Sequence, residues 1–348
     1  MQNEINTKRI EWIDTAKFIG IFLMITGHVM EEINMRVLLY HYIYSFHMPL
    51  FFILSGITFS SNKPLKVSIK NFFVQLIIPY IFFYCLDYIF WFFVSFLRHP
   101  EIFERNLYDG FIKPFIGLFT GYNSSYSTDV GKSIWFFVVL FTCKGISRLF
   151  DEIKYKFKFL ELIFSLITIV FSYILFYTKI DLPLYIPETL MSYSFFYIGK
   201  VVKNKINFEK KYQYCLLFVI TLVLQMIGSY LQKGVGIRGV NMGHNYFGML
   251  FYPLAILGCF SIEMLCNILP KLKGGLKFLS VNTITIVGFN RFLITLVRGI
   301  IKFFICNGSN ILINYSYIFI VTINVLIFSF IPCYIMQKYF PFIIGKKK

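Results

Sequence analysis

Apolar residues gather along the chain into runs of roughly 13–33, 41–60, 72–97, 133–149, 159–178, 187–202, 212–231, 246–268, 280–303 and 313–338. A helix rises about 1.5 Å per residue and the hydrocarbon core of a bilayer is about 30 Å thick, so apolar runs of this length predict membrane-spanning helices. The pattern therefore predicts ten of them, the sixth being short and bordered by Pro183 and Pro187. The expectation is an all-α polytopic integral membrane protein, one transmembrane domain over residues 1–348 with no separate soluble domain. No cleavable leader is read, because a polar dozen residues precedes Ile13 and no small-x-small site follows the first apolar run.

Composition agrees with the pattern. Of the 348 residues 57% are hydrophobic, with 44 Phe and 24 Tyr, well outside the range of soluble domains. The net charge of +17 would suit a nucleic-acid binder if it covered one face, but the cations fall in short clusters between apolar runs. Alternate connections hold 21 Lys and Arg on one side, including Lys63, Lys200 and Lys271, and eight on the other, including Arg36, Arg105 and Arg238. The positive-inside rule then predicts cytoplasmic termini, with 98–132 and the Gly-rich 233–244 outside. Seven cysteines lie mostly in apolar runs without close pairs, so neither a disulfide framework nor a metal site is predicted.

Ionisable groups inside these runs are costly and point to function. Lys17 and His28 are eleven residues apart, which puts them on one helix face about 16 Å apart along the axis, with Asp14, Ile21 and Met24 near the same line. With Lys17 at the membrane rim, His28 is expected near the midplane. His47 and Pro49 open the second run, where Ser55-Gly56 permits close helix approach. Asp87 falls in the middle of the third run. Arg291 and Arg298 share a face of the ninth, where they could meet a phosphate or a carboxylate such as Asp87. Glu188 and Glu263 read as rim residues.

Several segments together resemble the membrane-bound acyltransferase 3 family, whose members O-acylate glycans and other acceptors at the bacterial cell surface. They are Arg9-Ile-Glu-Trp-Ile-Asp14-Thr-Ala-Lys17 with His28, a basic-x10-His motif; Ser45-Phe-His47-Met-Pro49 through Ser55-Gly56; Ile78-Pro79-Tyr80; and Ile134-Trp135-Phe-Phe. Phe195-Phe-Tyr-Ile-Gly199 and Asn282-Thr-Ile-Thr-Ile add to the likeness. Two positions depart from it: the family often has arginine at the place of Gln75, leaving Lys70 as the nearest base, and histidine at that of Asn290.

The resemblance implies a ten-helix domain in the bacterial cytoplasmic membrane. It also implies acetyl-CoA or another acyl-CoA as donor, and a glycan or lipid-linked saccharide as acceptor. Acyl transfer to a hydroxyl needs a base and oxyanion stabilisation. His28 is the expected base or acyl relay, with His47 supporting it from the second helix. Lys17, helped by Lys70 and Arg291, is suited to the donor phosphates. Trp135, Asp87, the aromatic stretch 122–126 and His244-Asn245-Tyr246 are candidates for acceptor contact at the outer side. The rival reading is a transporter of a small anion or lipid-linked sugar, with Lys17, Arg291 and Arg298 as the path and His28 as a proton relay. It calls for an internal repeat or paired broken helices, and no repeat is legible.

Overall fold

The computed structural model describes residues 11–98, 112–121, 130–131, 133–153, 159–180, 182–202, 211–302 and 311–346. Arg9, the stretch 122–126 and connection residues such as Arg105, Lys132, Lys154 and Lys205 lie outside the described residues. All ten predicted segments contain helix. In chain order the helices are α1 (Glu11–Glu32), α2 (Leu38–Ile57), α3 (Leu65–Phe72), a π-helical turn (Phe73–Ile77), α4 (Ile78–Arg98), α5 (Lys113–Thr120), α6 (Trp135–Ile153), α7 (Leu160–Thr178), α8 (Ile186–Val202) and α9 (Lys211–Gln232). A small antiparallel hairpin, β1 (Val235–Gly236) and β2 (Asn241–Met242), and a 3-10 turn (Asn245–Leu250) follow. The chain closes with α10 (Phe251–Ile268), α11 (Gly274–Val281), α12 (Thr283–Lys302) and α13 (Ile311–Tyr339).

Seven spans among the described residues are long and apolar enough to cross a membrane by themselves: 11–32, 65–94, 160–178, 211–232, 246–268, 283–301 and 312–339. Three of the predicted spans fall short of that measure. Helix α8 has 17 residues; α6 carries Lys144, Arg148, Asp151 and Glu152; α2 is diluted by His41, Ser45, His47 and several Tyr. Their position explains it for α2 and α8. Helix α2 is packed among α1, α8, α9 and α10, so its apolar character is not needed to meet lipid. The lipid-facing role falls to helices such as α7, α9 and α13, where Val170, Phe171, Val223, Leu224, Phe319 and Ile327 are exposed.

Helices α2 and α8 touch backbone to backbone. A Cβ at Gly56 would stand 2.1 Å from the Phe196 carbonyl oxygen, and one at Gly199 would stand 2.1 Å from that of Ile53. Only glycine fits either place. On its other side α2 is tied to α9 by Gln225 Nε2, which donates to Ser45 Oγ at 2.6 Å. Helix α1 lies antiparallel to α2, Gly20 abutting Leu50 and Phe51, and Gly27 abutting Ile43 and Tyr44.

We call the end where α1 begins and α13 finishes basal, and the other the hairpin end. The basal end is knit by charge: Lys200 Nζ lies 2.7 Å from Asp151 Oδ1 and 2.8 Å from Glu161 Oε2, joining α6, α7 and α8. There the tail folds back, burying Ile343 and Ile344, while Lys346 Nζ donates to Asn282 Oδ1 at 2.8 Å. At the hairpin end the Gly234 N–H donates to His41 Nδ1 and the Gly239 N–H to Glu188 Oε1, both at 3.1 Å. Glu188 is thus a buried hairpin anchor, 3% exposed, rather than a rim residue.

Candidate active site

One cavity of about 760 Å³ runs into the bundle from the hairpin end. Its mouth is formed by the exposed Glu32, Asn34, Arg36 and Asn241, with Arg238 of the hairpin lining it as well. Thr283 and Ile294 of α12 both line it; eleven residues of helix set them about 16 Å apart. The walls between are supplied by α1, α2, the start of α6, the hairpin and α12, so helices distant in sequence converge on one space.

His28 and His47 both face this space. His28 stands one turn from the last residue of α1, toward the hairpin end, and its side chain is 26% exposed. The deeper histidine is His47, at the middle of α2 and 4% exposed. His28 Nδ1 lies 3.6 Å from Glu31 Oε2, one turn on along α1. The Tyr44 hydroxyl donates to the same Glu31 oxygen at 2.7 Å. The Tyr44 ring lies between the two imidazoles, edge-on to each, with centroids 6.4 Å from His28 and 5.0 Å from His47.

The hydrogen bonds fix which nitrogens are available. His47 Nδ1 is 2.9 Å from the Ile43 carbonyl oxygen, which can only accept, so Nδ1 carries the hydrogen and Nε2 keeps its lone pair. In His28 the Glu31 carboxylate favours a proton on Nδ1, leaving Nε2 as the acceptor. Each imidazole thus offers one basic nitrogen, and His28 has a carboxylate behind it to stabilise an imidazolium.

Behind the cavity wall Asp87 of α4 accepts the Gly131 N–H at 2.7 Å and pairs with Arg291 of α12 at 3.5 Å. The carboxylate named in the sequence as a possible partner is the one Arg291 meets. Trp135 is 5% exposed and forms part of the cavity wall at the start of α6. Asn290, beside Arg291, is 1% exposed and also lines the wall.

The cavity therefore gathers His28, His47, Arg291 and Trp135, with Asp87 one contact behind. Lys17, Lys70 and His244 are not in its walls. Lys17 is at the basal end, near enough to Lys144 for their like charges to interact, and the Lys144 ammonium stands 5.6 Å over the Phe72 ring. Lys70 is exposed on α3. His244 stacks on Tyr246 at the hairpin end. Glu31, Tyr44 and Arg238 were not singled out by sequence; the spacing of Glu31 from His28, i to i+3 on one helix, was the signal that could have found it. No group of three His, Cys, Asp or Glu among the described residues is placed to hold a metal ion.

The fold and cavity define a multi-pass membrane protein with an ionisable site enclosed between its helices. Residues 10–335 match the acyltransferase 3 profile, described as an acyltransferase domain. The chain belongs to that family and is a membrane acyltransferase. No curated protein and no solved structure matches it.

Proposed function

We propose that this acyltransferase moves an acetyl or other short acyl group from acyl-CoA to a hydroxyl of a cell-surface or lipid-linked glycan. The observation that carries the reading is the His28–Glu31 pair facing a cavity that opens at the hairpin end. In this scheme His28 Nε2 takes the proton of the acceptor hydroxyl and Glu31 stabilises the resulting imidazolium. The hydroxyl oxygen attacks the thioester carbonyl, the C–S bond breaks, and His28 returns the proton to the CoA thiolate. His47 flanks the site through Tyr44.

The cation bias of the basal connections supports cytoplasmic termini and a multi-pass arrangement in a bacterial cytoplasmic membrane, with the hairpin outside. Acyl-CoA then reaches the basal end, where Lys17 and Lys144 suit its phosphates. The glycan enters from the hairpin end, where Trp135 and Arg238 line the way.

The test is transfer of label from radiolabelled acetyl-CoA into membrane and glycan fractions by wild type, His28→Ala and Lys17→Ala at matched expression. Label in the wild-type glycan fraction that is lost with His28→Ala is the expected result. Equal labelling in all three, or no binding of acyl-CoA, would overturn the proposal.

A further inference from the structure

The amide of Asn290 is not used in the scheme above, yet its setting is unusual. Asn290 Oδ1 is enclosed by protein and has no hydrogen-bond partner, although leaving a buried polar atom unsatisfied costs about 1–3 kcal/mol. Nδ2 makes no hydrogen bond among the described residues either, and it is the less enclosed end of the amide, which lines the cavity. An amide nitrogen can only donate, so this position is built to meet an acceptor oxygen of a ligand.

Helix register places that oxygen. Arg298 of α12 meets Glu32 of α1, and both helices run from the basal end, so counting back eight residues on each puts Asn290 level with Met24. The contacts of Gly20 and Gly27 with α2 put His47 at the same level. His28 is one turn above, about 6 Å along the axis. Apolar side chains of Met24, Met48, Phe51, Phe137, Val287 and Ile294 line the same cavity, and exclusion of water strengthens a donor aimed into it.

Resting on the acyl-transfer reading, we propose that Asn290 is a catalytic residue whose Nδ2 donates to the thioester carbonyl oxygen and stabilises the oxyanion formed on it. The acceptor oxygen forms its bond to the carbonyl carbon, the π electron pair moves onto the oxygen held by Asn290, and the hydroxyl proton goes to His28 Nε2. Collapse restores the carbonyl, breaks the C–S bond and passes that proton to the departing thiolate.

The experiment uses the full chain in membranes, radiolabelled acetyl-CoA, and the envelope glycan fraction of the expressing bacterium as acceptor. It compares wild type with Asn290→Ala, Asn290→Asp and Asn290→His. Loss of one oxyanion donor lowers kcat by about 10²–10³-fold, and the KM for acetyl-CoA is expected to stay within about threefold in Ala and Asp. Asn290→His, which retains an N–H, is expected to recover part of kcat. A kcat near wild type in Asn290→Asp, or a loss carried by KM alone, overturns the assignment. If Asn290→Ala lowers the melting temperature, the near-isosteric Asp variant decides. A wild type that transfers no label defeats the acyl-transfer reading itself, a result distinct from an active wild type with active Asn290 variants.

Discussion

Tyr44 of α2 holds Glu31 of α1 through a hydrogen bond of 2.7 Å, and the same carboxylate oxygen faces His28 Nδ1 at 3.6 Å. The orientation of the acid behind the candidate base is therefore set by a neighbouring helix. Glu31 is about half exposed to the cavity mouth, where an untethered side chain would sample other rotamers, and the tyrosine restricts that freedom.

Glu31→Gln is expected to lower kcat about 10²-fold, the lower end of what general acid–base catalysis contributes. Tyr44→Phe, which keeps the ring between the histidines and removes one bond to a charged group, is expected to lower it about tenfold. Steady-state kinetics with acetyl-CoA check both. A Glu31→Gln enzyme with wild-type kcat would remove the carboxylate from the mechanism.

The glycine contact between α2 and α8 gives a second expectation. Gly56→Ala and Gly199→Ala must each push a carbonyl away from its present place, at about 1–3 kcal/mol apiece. Because both relieve themselves by the same parting of the helices, the double variant should cost less than the sum. Thermal unfolding in detergent measures this, and two full, additive penalties would show the contacts to be independent.

Asp87→Ala takes a carboxylate from Arg291 and the acceptor from the Gly131 N–H. The expected loss is about 2 kcal/mol, less than for a fully buried pair because the arginine is partly open to the cavity. Asp87→Ala combined with Arg291→Ala should be more stable than Asp87→Ala alone. If the double variant is the less stable, the pair is not what Asp87 contributes.

Much of the fold was legible because spanning helices announce themselves by length and composition, and the ten runs all contain helix. The depth of groups was not legible. His28 and His47 were identifiable as costly residues, but not which is the more enclosed: His28, one turn from the end of α1, is partly exposed, whereas His47 is the buried imidazole at the middle of α2. Glu188 reads as a rim residue because it begins a helix; the hairpin that covers it comes from a distant part of the chain, which no local pattern reports. The Asp87–Arg291 pair was suggested by charge, whereas the link from Tyr44 to Glu31 depends on the rotation of α1 against α2. That rotation follows from the glycines at 20 and 27, where the aromatic residues of α2 come close.

The run of cavity wall from Ile294 to Thr283 covers about 16 Å along α12 and ends at the first residue of that helix, at the basal end. The cavity that opens at the hairpin end therefore reaches the basal end of α12 inside the protein. What closes it there is the turn at Asn282 and the tail, whose Lys346 Nζ donates to Asn282 Oδ1. In the proposed transfer, a donor at the basal end and an acceptor at the hairpin end would therefore share one space, with no separate crossing step between them.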